Sequence, residues 1–320
     1  MQANNKSGVY NRLSVANIAL VVGVILLERF PGERWWPTLL LIYLPQLILT
    51  IPSILLAAYF LKRKQWLQTA LAIAALLVAL TMLVGMPLPH AQSQKRAQLR
   101  IVSWNVHFGH GGPAVAELAR KTWPDIICLQ EANPWAEKDL DKLLSLPIFR
   151  GWHSKTCGEL VILSRFPLKW LRTTHSALWV SADLGGQKIV IVNAHFAQPY
   201  KPFFSPISNL PDIYSIERFR RLQMRQIIEN LPTDKPVVVC GDFNTPPNTM
   251  IYRTFASNLT DSFQHTGKGM GLSYPRQFPL TRIDHIFVGS GAAPLRCFQP
   301  EIKASDHRPL CADVALNLRY

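Results

Sequence analysis

Two long stretches without a single charged residue constrain this chain more than any other feature. Residues 35–61 read WWPTLLLIYLPQLILTIPSILLAAYFL, and residues 66–89 read WLQTALAIAALLVALTMLVGMPLP. A membrane-crossing helix needs about 20 largely apolar residues, and both runs reach that length. A third run, residues 13–27 (LSVANIALVVGVILL), is shorter and carries Asn17, so it crosses only with its flanks or in a thin bilayer. A cleaved signal peptide would account for the first run but not for all three. Buried core helices of a soluble protein are the alternative, and the absence of charge argues against them. Pro45 and Pro52 would break a soluble helix but are tolerated in a packed membrane bundle. Trp35, Trp36 and Trp66 stand at the edges of the runs, where aromatic belts form. Three transmembrane helices are therefore expected within residues 1–86.

Flanking charge sets the orientation. Lys62, Arg63 and Lys64 form the strongest basic cluster, whereas the connection ERFPGERWW mixes two acids with two bases. The positive-inside rule places residues 62–65 in the cytoplasm. With three spans the N-terminus, with Lys6 and Arg12, shares that side. Everything after residue 90 then lies outside a cell membrane. Lys95, Arg96 and Arg100 pull mildly the other way, but large following domains translocate with little regard to charge.

The remainder is of a different kind. Residues 1–90 hold seven Lys/Arg and two Asp/Glu, and residues 91–320 hold 27 and 18. The second part has ordinary polarity and length for one well-buried core. Residues 87–98 (PLPHAQSQKRAQ) read as a linker, and 99–320 as a catalytic domain. Cys128, Cys240 and Cys311 sit in apolar runs and read as small buried hydrophobes. The five cysteines show no CxxC zinc spacing.

From residue 99 onward, apolar runs alternate with turn signals. Strands are expected at 99–105, 125–130, 159–164, 178–183, 188–195, 236–241, 283–288 and 310–316. Helices are expected at 112–122, 135–145, 215–230 and 248–256. This is a mixed α/β or α+β pattern. The strands repeatedly end in carboxylate, amide or imidazole. Asn105 ends IVSWN and Glu131 follows IICLQ. Asn193 and His195 end IVIVNAH. Asp242 and Asn244 follow VVVCG. Asp284 and His285 open IDHIFV, and Asp306 and His307 sit in SDHRPL. One such residue is an ordinary turn or cap. Six clusters in one domain are hard to assign to caps, and strand ends can converge on one rim.

These groups suit metal-assisted hydrolysis of a phosphate ester. Hard oxygen ligands such as Glu131, Asp306 and the Asn105 amide favour Mg²⁺ or Mn²⁺ over zinc. HExxH, GxSxG and GxxxxGK[ST] motifs are all missing, so a zinc peptidase, a serine nucleophile and a P-loop are poorly supported.

WN at 104–105, QE at 130–131, GDFN at 241–244, RIDH at 282–285 and SDH at 305–307 together resemble the endonuclease/exonuclease/phosphatase superfamily. That group includes DNase I, exonuclease III, inositol-phosphate 5-phosphatases and neutral sphingomyelinases. The likeness spans about 99–316. The apolar prefix resembles the bacterial membrane branch with VanJ-like and YafD-like proteins. The resemblance implies a four-layer α/β sandwich, two packed sheets with helices outside. It implies Glu131 as principal metal ligand, with Asn105 beside it and Asp306 as a further metal-proximal carboxylate. It implies Asp242 and Asn244 as the pair that orients water and phosphate, and His195 as a phosphate contact. His307 resembles the catalytic histidine, oriented by Asp284.

Substrate class is less constrained. The basic excess of residues 91–320 suits nucleic acid, anionic headgroups or plain solubility. Residues 199–214 (PYKPFFSPISNLPDIY) read either as a loop that folds its aromatics inward or as an apolar lip toward a bilayer. Arg218, Arg221 and Arg225 share one helix face, either merely solvated or in contact with phosphates. His107, His110, His153, His175 and His265 have no motif support and read as surface or turn residues. The leading expectation is a membrane-anchored, Mg²⁺-dependent phosphoesterase acting on a lipid-linked phosphate, pyrophosphate or phospholipid headgroup. An anchored nuclease is the alternative, and a non-catalytic scaffold is disfavoured by the intact site residues.

Overall fold

Along a strand successive side chains point to opposite faces. The run Leu99–Asn105 accordingly sends Ile101 into one apolar cluster and Val102 and Trp104 into another. The same split recurs in the neighbouring runs. Cys128 and Cys240 face inward, while Leu129 and Val239 face outward. A chain patterned this way must be covered on both faces, and the computed structural model shows how. It describes residues 2–88, 96–108, 111–132, 135–199 and 210–316.

Four helices come first: α1 (Gln2–Arg29), α2 (Trp36–Tyr43), α3 (Ile51–Lys62) and α4 (Trp66–Met82). The following half opens with β1 (Leu99–Asn105), α5 (Gly111–Thr122), β2 (Ile126–Gln130), α6 (Trp135–Leu144), β3 (His153–Cys157) and β4 (Leu160–Ser164). Then come β5 (Leu168–Thr174), β6 (Ala177–Asp183), β7 (Lys188–His195), α7 (Leu210–Ile228), β8 (Val237–Asp242) and α8 (Met250–Asn258). The chain continues through β9 (Thr260–Asp261), α9 (Ser262–Thr266), β10 (Asp284–Gly289), β11 (Ala292–Phe298) and β12 (Leu310–Leu316).

The strands form two six-stranded sheets, ordered β11-β12-β1-β2-β4-β3 and β5-β6-β7-β8-β10-β9. One cluster, with Ile101, Cys128 and Ile162 from the first sheet and Val180, Ile191 and Cys240 from the second, fills the space between them. A second cluster lies under α5, and a third joins the other outer face to α7 and α8. The expected two-sheet sandwich flanked by helices is therefore present. The eight anticipated strands and four anticipated helices of this half all occur within a few residues. The strands β3, β5, β9 and β11 and the short α9 were not anticipated. β5 is mostly exposed along its length, so it carries no apolar alternation to read.

The N-terminal helices differ from expectation in detail. The shortest apolar run belongs to the longest helix. Gly8–Arg29 is one continuous segment of mean hydropathy 1.7, long and apolar enough to cross a membrane. Asn17 finds a partner inside the bundle, accepting from Ser53 Oγ at 3.0 Å. Residues 35–61 do not form one straight span. The chain bends by 89° between α2 and the helical segment Gln46–Lys62. Pro45 disfavours the helical conformation at Leu44, which is extended with ψ 144°. Pro52 falls in the first turn of α3, where proline is tolerated. α4 has 17 residues and is apolar but short. Within the described residues, α1 alone is a single helix of spanning length.

Two clusters show how the helices run. Tyr10, Phe60 and Ala72 meet at one end, and Val21, Val24, Ala79 and Leu83 meet toward the other. The start of α1 therefore lies beside the end of α3, and the ends of α1 and α4 lie together. That second end abuts the sandwich. Asn248 Nδ2 donates to Glu28 Oε1 at 2.9 Å and to the Ile42 carbonyl at 3.1 Å. Leu39 packs on Ile213, and Gly85 lies against Pro247 with no room for a Cβ.

One buried ion pair stabilises the end of the sandwich nearest the helices. Arg282 Nη1 donates to Asp261 Oδ2 at 2.6 Å, and the Tyr252 hydroxyl donates to the same oxygen at 2.7 Å. Asp261 Oδ1 caps α9 by accepting from Phe263 N at 2.8 Å. Burial alone would push the Asp261 carboxyl up, but Arg282, His285 and Tyr252 hold it well below the usual carboxylate range. A carboxylate lowered in this way contributes stability that is complete above about pH 4 and is lost only in stronger acid. Arg282→Leu leaves that carboxylate buried without its guanidinium partner. The expected loss is about 3–5 kcal/mol, read from the midpoint of urea unfolding at neutral pH. A loss below about 1 kcal/mol would show that the pair contributes little.

Candidate active site

Strand pairing brings the polar strand ends together. β1 and β2 run parallel, with Asn105 opposite Gln130, so Glu131 emerges beside Asn105. β7 and β8 also run parallel, with His195 opposite Asp242, and Asp284 of β10 is the antiparallel partner of Asp242. His195, Asp242 and Asp284 thus form one row across three strands of the second sheet. Face-to-face packing sets that row against Asn105 and Glu131 of the first.

Asn105 joins the two sheets. Its Nδ2 donates to Glu131 Oε1 at 2.8 Å and to Asp242 Oδ2 at 3.0 Å. Its Oδ1, the atom that would face a cation, accepts from His107 N at 3.0 Å. Glu131 (φ 52°) and Asn244 (φ 48°) both adopt left-handed backbone, uncommon for residues other than glycine and recurrent at functional sites. In GDFN, Gly241 is required because a Cβ would stand 1.8 Å from the Ala194 carbonyl oxygen. Asp242 Oδ1 accepts from Asn244 N at 2.8 Å, and Asn244 Nδ2 donates to the Phe196 carbonyl at 3.0 Å. These bonds fix the loop that follows β8.

Two imidazoles flank this core, each held by a carboxylate. His307 Nδ1 meets Asp284 Oδ2 at 2.9 Å, which leaves Nε2 facing Asp242 Oδ2 at 3.6 Å. Burial opposes a charge on His307, but Asp284 and Asp242 outweigh it and raise its pKa to about 10. His195 Nδ1 meets Glu159 Oε1 at 2.6 Å. Its Nε2 lies 3.7 Å from both Glu131 Oε1 and Asp242 Oδ2. Burial lowers the His195 pKa, but the bond to Glu159 and the charges of Asp242 and Glu131 leave it raised overall.

The sequence reading assigned no role to Glu159, His107 or Tyr274. Glu159 lies in the tight turn between β3 and β4, with only its carboxylate as a signal. The sequence reads His107 as a surface or turn residue. It is half-exposed, yet its Nδ1 lies 3.7 Å from Glu131 Oε2 and 3.6 Å from Asp306 Oδ1, which places Asp306 at the rim. The Tyr274 ring packs on His307 at 4.8 Å between centroids. Two residues of the strand-end clusters serve the scaffold instead. Asn193 bridges the sheets, accepting from Gln130 Nε2 at 2.6 Å and donating to the Leu129 carbonyl at 2.8 Å. The His285 ring bonds the Thr245 carbonyl at 2.8 Å. Most of the aromatic segment 199–214, from Tyr200 through Asn209, lies outside the described residues, as do His110 and most of the linker.

The residues present fit a hard divalent cation. Glu131, His195 and Asp242 offer ligand atoms within 4.8 Å of one another, as do Asp242, Asp284 and His307. Buried carboxylates at this density need positive charge nearby, part of which the raised imidazoles of His195 and His307 supply. His195 Nε2 and Asp284 Oδ1 are buried without a hydrogen-bond partner, which leaves polar capacity for a ligand.

The sequence profile of the endonuclease/exonuclease/phosphatase family matches residues 102–307. The chain belongs to this family. Its members are hydrolases of phosphoesters. The protein YbhP of Escherichia coli, itself uncharacterised, is 32% identical over 255 residues, covering 68% of this chain and 96% of YbhP. Rat nocturnin is 27% identical over 165 residues, 44% of this chain, and the match spans only 38% of nocturnin. A family structure from Bacteroides vulgatus superposes with a TM-score of 0.52 at 20% identity, over 68% of this chain and 98% of that one. The human nocturnin catalytic domain with bound sulfate gives 0.50 at 18% identity, over 71% and 97%. These structural likenesses establish the shared fold.

The carboxylate–imidazole pair at His195 has a measurable consequence. Glu159→Gln keeps a hydrogen-bond acceptor but removes the charge that helps hold the raised His195 pKa. We expect that pKa to fall and phosphoesterase turnover to drop about tenfold. An imidazole titration followed by NMR, unchanged from that of the parent protein, would count against the pairing.

Proposed function

We propose that this protein is a membrane-anchored, divalent-metal-dependent phosphoesterase acting on a lipid-linked phosphate or pyrophosphate at the extracytoplasmic face. The observation that carries the catalytic part is the buried, unpartnered Nε2 of His195, which faces Glu131 and Asp242 across from His307. Glu131 serves as principal ligand, with Asn105 and Asp306 completing an oxygen-rich set suited to Mg²⁺ or Mn²⁺. When bound, the metal supplies charge neutralisation at the phosphoryl oxygens. Phosphoryl transfer otherwise depends mainly on positioning. His195 Nε2 contacts a phosphate oxygen, with its ring orientation set by Glu159. Asp242 and Asn244 orient the attacking water. His307, with Nδ1 held by Asp284, exchanges a proton at Nε2 with the water or leaving group.

Membrane anchoring is supported by the span Gly8–Arg29 and by the apolar helices packed on it. The start of α1 and the basic turn Lys62–Lys64 lie at the end of the bundle away from the sandwich, which favours a cytoplasmic location for that end and an outside location for the domain. A helical unit ahead of a family domain also fits the resemblance to the VanJ-like and YafD-like branch. The lipid-linked substrate is favoured by how near the helices come to the site. Arg220, fully buried, donates from Nη2 to the Tyr43 hydroxyl of α2 at 3.2 Å and to the Asn244 carbonyl at 3.0 Å. One side chain therefore separates an apolar helix from the catalytic loop.

Full-length protein in liposomes with Mg²⁺ should release phosphate from a polyprenyl pyrophosphate or from phospholipid vesicles. Cleavage of plasmid DNA with no action on either lipid would overturn the substrate reading. For topology, in a Cys157→Ser background a membrane-impermeant thiol reagent added to intact cells should label Asp234→Cys but not Lys64→Cys. The opposite pattern would place the domain in the cytoplasm.

A further inference from the structure

α7 carries the basic stripe that the catalytic reading leaves unused. Its inward side is engaged. Ile213 packs on Leu39 of α2, Met224 and Ile227 join the core under the second sheet, and Glu217 is buried against Arg220. Its outward side shows Tyr214, Arg218, Phe219, Leu222 and Arg225, with Tyr214 38%, Phe219 39% and Leu222 47% exposed. Arg221 borders the same arc and is half-buried. Between Tyr214 and Ile228 the one carboxylate is Glu217, and it is turned inward. From Tyr214 to Ile228 the exposed arc is basic where it is charged, the exposed Glu229 closes it one turn beyond Arg225, and most of its remainder is aromatic or aliphatic. Large apolar side chains in such a position normally face something other than water.

The location of α7 narrows the occupant. It lies directly beside α2, at the end of the helical bundle where α1 stops. That end is marked by Arg29, Arg34, Phe30 at 76% exposure and Trp35 at 49%. Basic and aromatic residues at the end of an apolar span mark the headgroup level. A helix with arginines flanked by exposed aromatic and aliphatic groups suits the plane of that level, where anionic headgroups attract the guanidinium groups and the apolar groups dip below them. We propose that the outward face of α7 rests on the headgroups of an anionic lipid surface, the same bilayer that α1 enters. This rests on the membrane reading above. The contact would hold the catalytic rim at a fixed height over the bilayer, since Arg220 of the same helix grips the carbonyl of Asn244.

The test uses the full chain in a Cys157→Ser background, the other four cysteines being buried. A fluorophore is placed at Leu222→Cys, Phe219→Cys, Leu20→Cys or Asp234→Cys, and the protein is reconstituted in vesicles of phosphatidylglycerol and phosphatidylethanolamine. Shallow nitroxide lipids should quench Leu222→Cys and Phe219→Cys about twofold more than Asp234→Cys, which lies in the turn before β8, at the far end of that strand from Asp242. Replacing Arg218, Arg221 and Arg225 together by Gln, or replacing phosphatidylglycerol by phosphatidylcholine, should remove most of that difference. Quenching at Leu20→Cys in α1 by nitroxides deep on the acyl chains, without shallow quenching on α7, would overturn this assignment and leave the membrane reading standing. Absent quenching at Leu20→Cys would overturn both. Disulfide cross-linking of Leu222→Cys between copies, in place of quenching, would give the face to a second copy and overturn the proposal.

Discussion

His307→Ala is expected to lower turnover by roughly two to four decades, and Asp284→Asn by a similar amount. The geometry sets both losses. With Nδ1 bonded to Asp284 Oδ2 at 2.9 Å, the ring offers one nitrogen, Nε2, to the substrate side. Without the carboxylate the ring can adopt the other tautomer, and the charged ring loses its nearest counter-ion. The Asp284 side chain is fully buried, so Asn at this position keeps the shape and removes mainly the charge. The two groups act as one unit, and such units are strongly non-additive. The double variant should therefore fall little below His307→Ala. The check is a steady-state comparison of all three variants on one phosphodiester, with circular dichroism to confirm folding. Fully additive losses would mean that Asp284 and His307 act separately.

Much of the rim was legible because its residues stand at the ends of apolar strands. Asn105, Glu131, His195 and Asp242 each sit where a buried run stops and Asp284 where one begins, and parallel pairing of β1 with β2 and of β7 with β8 aligns the first four. Polar residues at strand ends nevertheless have two fates, and sequence does not separate them. Asn193 lies two positions before His195 and points between the sheets, where it satisfies buried backbone. His285 follows Asp284 and, by strand alternation, points the other way, toward Thr245. Glu159 was illegible for another reason. It reaches His195 across 36 residues from a tight turn, and nothing local marks a turn carboxylate as a partner. The exposed β5 was missed because its side chains face water and carry no alternation.

The helical unit shows the limit of composition. Uncharged length indicated that residues 35–61 are apolar enough to cross, and their continuity was assumed. The Leu44–Pro45 break divides them, and the first part turns onto the two-sheet sandwich through Leu39, Ile42 and Tyr43. Hydropathy measures how a segment partitions, whereas the local conformation before a proline decides its direction. Contacts such as Asn248 with Glu28 and Arg220 with Tyr43 join residues some 200 positions apart, and no periodicity announces them.

Glu131→Gln should reduce turnover by about two decades and weaken divalent-metal binding by a comparable factor, while excess chelator should abolish activity in the parent protein. Glu131 is buried at 6% exposure, and its Oε1 already accepts from Asn105 Nδ2 at 2.8 Å. Gln replaces one carboxylate oxygen by an amide nitrogen, which cannot ligate a hard cation, and removes a full negative charge. The remaining carboxylates, Asp242 and Asp306, lie close enough to retain some binding, so the metal dependence should move to higher concentration instead of vanishing. Mn²⁺ binding followed by calorimetry separates this effect from catalysis. A structural role for Glu131 alone would lower stability and leave that isotherm unchanged. The side chain stands on left-handed backbone and offers a carboxylate oxygen within ligand reach of His195 and Asp242, so the isotherm is expected to move. Full activity of the parent protein in excess chelator would exclude the metal-assisted mechanism altogether.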